Sequence, residues 1–230
     1  MKPSDVRRDR ELRRRAGYRE LIIHAAERVI IRKGYSATTM DDVAREAQLS
    51  KATVYKYISG KGALLFEILS HYFDDLRLRL ETILAGPENS CEKLRLSVRL
   101  ILQDHEDKKN LSRVLWMDKA MLKLMRVFAA TSGKPGSAPA ADRKMIGLFR
   151  EKRQELTAVG AKILDEGVAS GELRRMDTGL ASAFIEAVLE GYAHDLIWRS
   201  RAPVSPDAAD ALTRFILEGI RNPDHSLKEN

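Results

Sequence analysis

Apolar residues recur at steps of three and four along most of the chain, which is the spacing of one face of an α-helix. The first such stretch ends before Gly34 and carries Leu21, Ile22, Ala25, Val29 and Ile30. No stretch of useful length alternates apolar and polar residues in the way that a β-strand does. The pattern therefore predicts an all-α chain of about nine helices.

Two short helices joined by a tight turn are predicted next. Thr39 precedes the first of them, and Asp42 stands three positions later, which is the spacing of a capping box. After the turn, Ser50 is placed to cap a third helix over about residues 51–57. The inward-facing positions of the first short helix are expected to be Met40, Val43, Ala44 and Ala47.

Helical spacing continues through the rest of the chain, with one low-complexity interruption at residues 131–141. We expect three parts: a basic flexible arm over residues 1–17, a small three-helix domain over 18–61 and a larger helical domain over 62–230. The helices predicted after the small domain cover about 62–84, 90–104, 111–130, 142–169, 177–199 and 207–221.

The positive charge of the chain is confined to its first quarter. Among the 230 residues, 40 Lys and Arg stand against 33 Asp and Glu. Residues 1–61 hold 15 basic and 8 acidic residues, whereas the remainder holds 25 of each. A positive field confined to one module favours a polyanionic partner, either nucleic acid or an anionic membrane. Residues 1–17 contain few apolar side chains, which disfavours a membrane-surface helix.

The third predicted helix carries hydrogen-bonding side chains near its start, as a helix that reads DNA in the major groove must. Lysine and threonine can bind base edges or phosphates, and tyrosine hydroxyls commonly bind phosphates. The same pattern also fits an ordinary helical hairpin with a basic surface, and on this pattern alone the two interpretations are evenly balanced. The side chains concerned are Lys51, Thr53, Tyr55, Lys56 and Tyr57.

Residues 34–58, GYSATTMDDVAREAQLSKATVYKYI, resemble the DNA-binding domain of the TetR family of transcriptional regulators. The resemblance extends over about residues 18–69. It includes the glycine after the first helix, the Thr-Thr start of the second and the aromatic pair of the third. The sequence departs from the family pattern at Gln48, where the family usually has a glycine that tolerates positive φ. It departs again at Ile58, which replaces a common phenylalanine and is expected to change core packing only.

This resemblance implies a helix-turn-helix domain with a defined set of DNA-contacting residues. Those expected near bases are Lys51, Ala52, Thr53 and Lys56. Those expected at the DNA backbone are Thr39, Tyr55, Tyr57 and Lys61, and Arg45 matches a further family position that touches DNA. Tyr57 fits a core aromatic equally well.

The resemblance also implies that the larger domain holds a ligand pocket and a dimer interface. The candidates for the dimer interface are Ala183, Ala187, Gly191, Leu212, Phe215 and Gly219. The candidates for an apolar ligand pocket are Met117, Met121, Met125, Phe128, Phe149 and Trp198. Ordinary packing within one chain is the alternative for both sets.

The function that follows is ligand-responsive transcriptional regulation by a homodimer. Its expected partners are a double-stranded DNA operator and an unidentified apolar or amphipathic effector, which releases the protein from a palindromic site. A ligand-independent regulator or an activator of the same fold is the first alternative, and an all-helical enzyme is a remote one.

The sequence offers no pattern typical of an enzyme. The five histidines lack metal-ligand spacing, and there is no G-x-S-x-G motif, P-loop or dinucleotide fingerprint. The single cysteine, Cys91, allows no intramolecular disulfide, which fits a reducing compartment. No apolar run approaches the length of a membrane span. We therefore expect a cytoplasmic bacterial protein with no metal, no cofactor and no membrane partner.

Overall fold

The computed structural model describes residues 3–108, 111, 140–199 and 206–222. Within these ranges the secondary structure consists of eight α-helices and one isolated bridge between Leu173 and Arg221. The all-α prediction is confirmed. The helices are α1 Pro3–Lys33, α2 Met40–Glu46, α3 Lys51–Tyr57, α4 Lys61–Leu84, α5 Ser90–Asp107, α6 Ala140–Ser170, α7 Thr178–Arg199 and α8 Pro206–Ile220.

The chain divides into two compact units. The first unit contains α1, α2, α3, α4 up to His71 and α6 up to Leu148. The second begins at Tyr72 and contains the rest of α4, together with α5, α6 from Phe149, α7 and α8.

The basic segment before residue 18 is helical, whereas the sequence pattern led us to expect a flexible arm. The helix α1 begins at Pro3, and proline is well suited to the first helical position because it has no amide hydrogen to satisfy there. Arginine, leucine and glutamate are good helix formers. Ion pairs between neighbouring turns add to this preference, since Asp9 lies 2.8 Å from Arg13 and Glu11 lies 3.1 Å from Arg15.

The core of the first unit joins one face of each of α1, α2, α3 and α4. Most of the predicted apolar positions of α1 and α2 are buried there, as expected. Leu21 is an exception and is exposed, because the buried face of α1 is centred on Ile22 and also takes in Ile23 and Ala26. The fully buried side chains of this core include Ile22, Ile30, Val43, Val54, Leu64 and Ile68.

The turn between α2 and α3 is built on a left-handed residue. Gln48 has φ of 56°, where the related family usually has glycine. The following amide, that of Leu49, donates to the carbonyl of Ala44 at 2.9 Å and closes the turn. Gln48 thus adopts the left-handed conformation in which a residue with a Cβ atom is disfavoured relative to glycine.

Gln48→Gly is therefore expected to stabilise the chain by about 1 kcal/mol, since it removes the Cβ atom from a left-handed residue. Urea unfolding followed by circular dichroism measures the effect. The matched control is Gln154→Gly on the exposed side of α6, where glycine should destabilise by about 1 kcal/mol. Destabilisation by both changes would show that the turn does not store this strain.

The second unit has a core of its own, formed by α5, α6, α7 and α8. Its buried apolar residues are Leu94, Val98, Leu102, Leu164, Leu173, Leu189, Ala209, Ile216 and Leu217. A buried carboxylate, Asp104, lies in the same unit and is bound by Arg79 at 3.0 Å and by Lys108 at 3.1 Å. Pairing of this kind offsets the cost of removing a charge from water.

Candidate nucleic-acid interface

Buried residues anchor one side of α3 in the core, and a side chain caps its first turn. The other side, which we call the outer face, is exposed to solvent. Val54 is fully buried in the core of the first unit, and Ile58, just after the helix, is nearly so. The Ser50 hydroxyl accepts a hydrogen bond from the Thr53 amide at 3.0 Å, as the predicted cap requires. These contacts fix the rotation of a helix that is only seven residues long.

The outer face of α3 presents four of the residues expected to touch DNA. Lys51, Ala52 and Lys56 are exposed, and the side chain of Tyr55 is 44% exposed. Thr53 is half-buried, and its hydroxyl lies 2.7 Å from that of Ser50. The face thus offers two cations, a methyl group and a phenol side by side.

Lys51 is already paired with an acid in the free protein. Its ammonium group lies 2.7 Å from a carboxylate oxygen of Asp41, in the first turn of α2. This hydrogen bond raises the pKa of Lys51 above its ordinary value. Both side chains are more than half exposed, so the pair is weak and can exchange for a base edge or a phosphate.

Thr39 caps α2. Its hydroxyl accepts the Asp42 amide at 3.2 Å, and its own amide donates to the Asp42 carboxylate at 3.0 Å. The predicted capping box is therefore confirmed. Lys33 binds the same carboxylate, and this contact holds the pKa of Asp42 well below its usual range.

Two further basic residues expected to touch DNA differ in their surroundings. The side chain of Arg45, near the end of α2, is 79% exposed and lies 3.6 Å from Asp42. The Lys61 ammonium donates to the Ser36 carbonyl at 2.8 Å and lies 4.5 Å from the centre of the Tyr35 ring. Lys61 thus also fastens the start of α4 to the loop before α2.

Tyr57, for which a DNA contact and a core position were equally plausible, is half-buried at the end of α3. Its ring stacks on that of Tyr18 in α1, with ring centres 5.0 Å apart and planes 16° from parallel. The Lys56 ammonium lies 5.8 Å from the Tyr57 ring centre. Tyr18 was not among the residues singled out from the sequence, because nothing local in the sequence brings α1 beside the end of α3.

A charged brace between α1 and α2 was also missed by the sequence analysis. Glu46 accepts hydrogen bonds from Arg32 at 2.5 Å and from Arg28 at 2.7 Å. These two guanidinium groups lower the pKa of Glu46 from 4.5 to about 2. The brace holds the end of α2 against α1, and α2 in turn supports the turn before α3.

The stabilisation from this brace should be lost in acid. Because the folded pKa of Glu46 is depressed, its contribution is fully present above about pH 4.5 and is lost as the pH falls towards 2. Glu46→Gln should lower stability at pH 7 and weaken the dependence on pH between 5 and 2, as measured by urea unfolding at a series of pH values. Glu20→Gln, on the exposed side of α1, should change neither. Parallel pH curves for the wild type and Glu46→Gln would contradict the assignment.

Both α7 and α8 of the second unit carry exposed apolar side chains. The side chains of Phe184 and Phe215 are 62% and 67% exposed, and Leu180 and Val188 are exposed as well. The small residues expected in a dimer interface, Ala183, Ala187, Gly191 and Gly219, all lie at exposed positions, whereas Leu212 is half-buried against the core of its own unit. We call the exposed residues Leu180, Ala183, Phe184, Ala187, Val188, Gly191 and Phe215 the apolar stripe.

The residues expected to line a ligand pocket lie outside what the structure describes. Met117, Met121, Met125 and Phe128 fall between the described ranges, and the side chains of Phe149 and Trp198 are not described. The pocket stays a prediction.

Among residues 3–108, 111, 140–199 and 206–222, no three His, Cys, Asp or Glu residues come together in a way that could hold a metal ion. None of the helices described is both long enough and apolar enough to cross a bilayer.

Part of the first unit is similar in sequence to bacterial regulators. A sequence profile of bacterial regulatory proteins of the tetR family matches residues 22–68. The uncharacterised HTH-type transcriptional regulator YuxN of Bacillus subtilis is 36% identical over 91 residues, which are 38% of this chain and 31% of YuxN. The chain thus aligns with about a third of the length of that relative.

Solved structures resemble the chain over nearly its whole length. A regulator of the TetR/AcrR family from Thermobifida fusca is 27% identical, with a TM-score of 0.55 over 87% of this chain and 97% of that one. The regulator FadR from Bacillus subtilis, solved in complex with stearoyl-CoA, is 21% identical, with a TM-score of 0.63 over 86% of this chain and 95% of that one. The second likeness concerns the fold alone.

Proposed function

We propose that the chain, whose residues 22–68 match the tetR family of bacterial regulatory proteins, is a homodimeric repressor that binds a palindromic operator and is released by a small lipophilic effector. The observation that carries the proposal is the exposed outer face of α3 on a capped and buried support. Its place of action is the cytoplasm, where the DNA lies.

Reading of the operator is assigned to α3. Lys51 and Lys56 can donate to guanine edges, Thr53 can bind a base, and the Ala52 methyl group can contact a thymine methyl. Contacts to the DNA backbone are assigned to Tyr55, Tyr57, Lys61, Thr39 and Arg45, of which Arg45 is the most exposed cation.

Dimerisation is assigned to the apolar stripe. The helix α7 is buried on one side through Leu189 and Ala193 and yet carries large apolar side chains on its other side. A helix that is apolar all round is ordinarily covered on all sides. A second copy of the same surface can cover the stripe around a two-fold axis, with its small residues permitting close approach.

The proposed effector is a lipophilic molecule with a polar head, and a long-chain acyl-CoA is the first compound to test. One structural neighbour is described in complex with stearoyl-CoA, and another, from Bacillus halodurans, is named as a fatty acid degradation regulator. The methionines predicted for the pocket suit an irregular apolar ligand, because methionine adapts to such shapes.

The test is binding of the full chain to the DNA upstream of its own gene, with and without stearoyl-CoA. Log affinity should fall linearly with log salt concentration, with a slope of about −0.9 for each phosphate contact. Stearoyl-CoA should release the DNA, whereas CoA alone should not. Affinity that does not change with salt would contradict DNA binding through phosphates.

The same experiment separates the alternatives. Salt-dependent binding that no acyl-CoA or other lipophilic compound alters would favour a ligand-independent regulator. An activator is recognised by transcription in vitro, where added protein should raise rather than lower the transcript from the bound promoter.

A further inference from the structure

We propose that the helical segment of residues 3–17 binds the DNA backbone beside the half-site that α3 reads, and so lengthens the contact with DNA. We call this segment, the part of α1 before Tyr18, the basic extension. The proposal rests on DNA binding by α3 and deepens it. The matched tetR-family region begins at residue 22, so the basic extension lies outside it.

The basic extension lies in the most positively charged part of the chain. Residues 1–17 hold seven basic and three acidic residues, which is more than half of the excess positive charge of residues 1–61. The arginines at positions 10, 13, 14 and 15 are all exposed. Arg13, Arg14 and Arg15 pair with Asp9 or Glu11 about one helical turn away at the surface, and such pairs exchange readily for phosphate.

The basic extension ends beside α3. The Tyr18 ring stacks on Tyr57, the last residue of α3, at 5.0 Å. The neighbouring residue Arg19 is bound to Glu67 of α4, which fixes this part of α1 in the first unit. The basic extension therefore leaves the unit at the carboxyl end of α3.

Three arginines of the basic extension lie on the same side of α1 as Tyr18. Arg10, Arg14 and Tyr18 follow one another at steps of four, and Arg15 precedes Tyr18 by three, so these arginines share the side of α1 that faces α3. At 1.5 Å per residue, the fifteen residues of the extension span about 22 Å. A straight helix of that length lies alongside many phosphates, because duplex DNA carries one charge for about every 1.7 Å of axis.

A membrane surface is the competing anionic partner, and the apolar content argues against it. Leu12 is exposed, and among residues 9–17 the only other apolar side chain is that of Ala16. Binding in the plane of a bilayer needs a broad apolar face beside the basic one.

The experiment compares three full-length proteins on a mixed-sequence duplex of about 40 base pairs, since phosphate contacts do not depend on sequence. The test variant is Arg10→Gln/Arg14→Gln/Arg15→Gln. The control is Lys162→Gln/Arg174→Gln/Arg175→Gln, which removes the same charge from exposed positions of the second unit. Glutamine keeps helix propensity close to that of arginine and lysine, and circular dichroism checks folding.

The slope of log affinity against log salt is negative, and we expect the test variant to make it shallower by about 2 to 3, at about 0.9 for each lost contact. The control should leave the slope unchanged. Shortening the duplex to about 16 base pairs should weaken DNA binding by the wild type more than DNA binding by the test variant, because the flanking phosphates are then gone.

Equal slopes for the test variant and the wild type would overturn the proposal and leave binding by α3 intact. Failure of the wild type to bind any duplex would instead contradict the proposed function itself. If the triple change abolished binding to phosphatidylserine vesicles and left the DNA slope unaltered, the extension would belong to a membrane surface.

Discussion

Ala187→Glu is expected to give a folded monomer with little affinity for operator DNA. Ala187 lies at an exposed position of α7, in the middle of the apolar stripe. In a two-fold dimer each copy would bring one glutamate close to the axis, so two like charges would be buried together without partners.

The size of the effect follows from the cost of leaving a charge buried and unpaired, about 3–5 kcal/mol. A loss of that size weakens a dimer by roughly two to four orders of magnitude, because each 1.4 kcal/mol is a factor of about ten. DNA binding should fall with dimerisation, since a palindrome is read by two recognition helices about 34–36 Å apart or a multiple of that. One seven-residue helix offers few base contacts.

Sedimentation and light scattering measure the oligomeric state of the variant, and circular dichroism checks that it folds. The matched control is Ala158→Glu, an exposed alanine of α6 outside the stripe, which should remain dimeric. A folded Ala187→Glu protein that remains dimeric would place the interface elsewhere. A folded monomer with full operator affinity would refute the requirement for a dimer.

The local structure of the helix-turn-helix could be predicted because its determinants are close in sequence. Thr39 and Asp42 are three residues apart, as are Ser50 and Thr53, and the cap of each short helix formed as its spacing indicated. The left-handed turn at Gln48 followed from comparison with a family pattern. In each case the interacting groups lie within one turn of the chain.

Contacts between distant residues could not be predicted in the same way. The pair of Lys51 with Asp41 and the stack of Tyr57 on Tyr18 depend on how α1, α2 and α3 pack. Hydrophobic spacing predicts that α1 is buried on one side but places the centre of that side only to within a residue, which is why Leu21 is exposed. We expected the basic segment to be flexible because its charged residues outnumber its apolar ones. It is helical because its residues have high helix propensity and because ion pairs join neighbouring turns.

The second large effect is expected at the start of the recognition helix, where Lys51→Ala should reduce discrimination between operator and scrambled DNA. The loss should be about 1–3 kcal/mol if Lys51 bonds a guanine edge, because that contact is made only with the correct base. The pair with Asp41 supplies a second measurement. Asp41→Asn removes the competitor of the Lys51 ammonium and should strengthen binding to the operator.

Arg45→Ala is the comparison that separates base reading from backbone binding. Arg45 suits this comparison better than Lys61, the other basic residue assigned to the DNA backbone. Lys61 donates to the Ser36 carbonyl, whereas the Arg45 side chain is largely exposed, so removing Arg45 disturbs the fold less than removing Lys61. In Arg45→Ala, the affinities for operator and scrambled duplexes should fall by similar factors. The slope of log affinity against log salt should become shallower by about 1. Competition binding of both variants to both duplexes, at two salt concentrations, measures the affinity of each variant for each duplex and its dependence on salt. If Lys51→Ala and Arg45→Ala lowered both affinities in the same ratio, Lys51 would be a phosphate ligand, and base reading would fall to Ala52, Thr53 and Lys56.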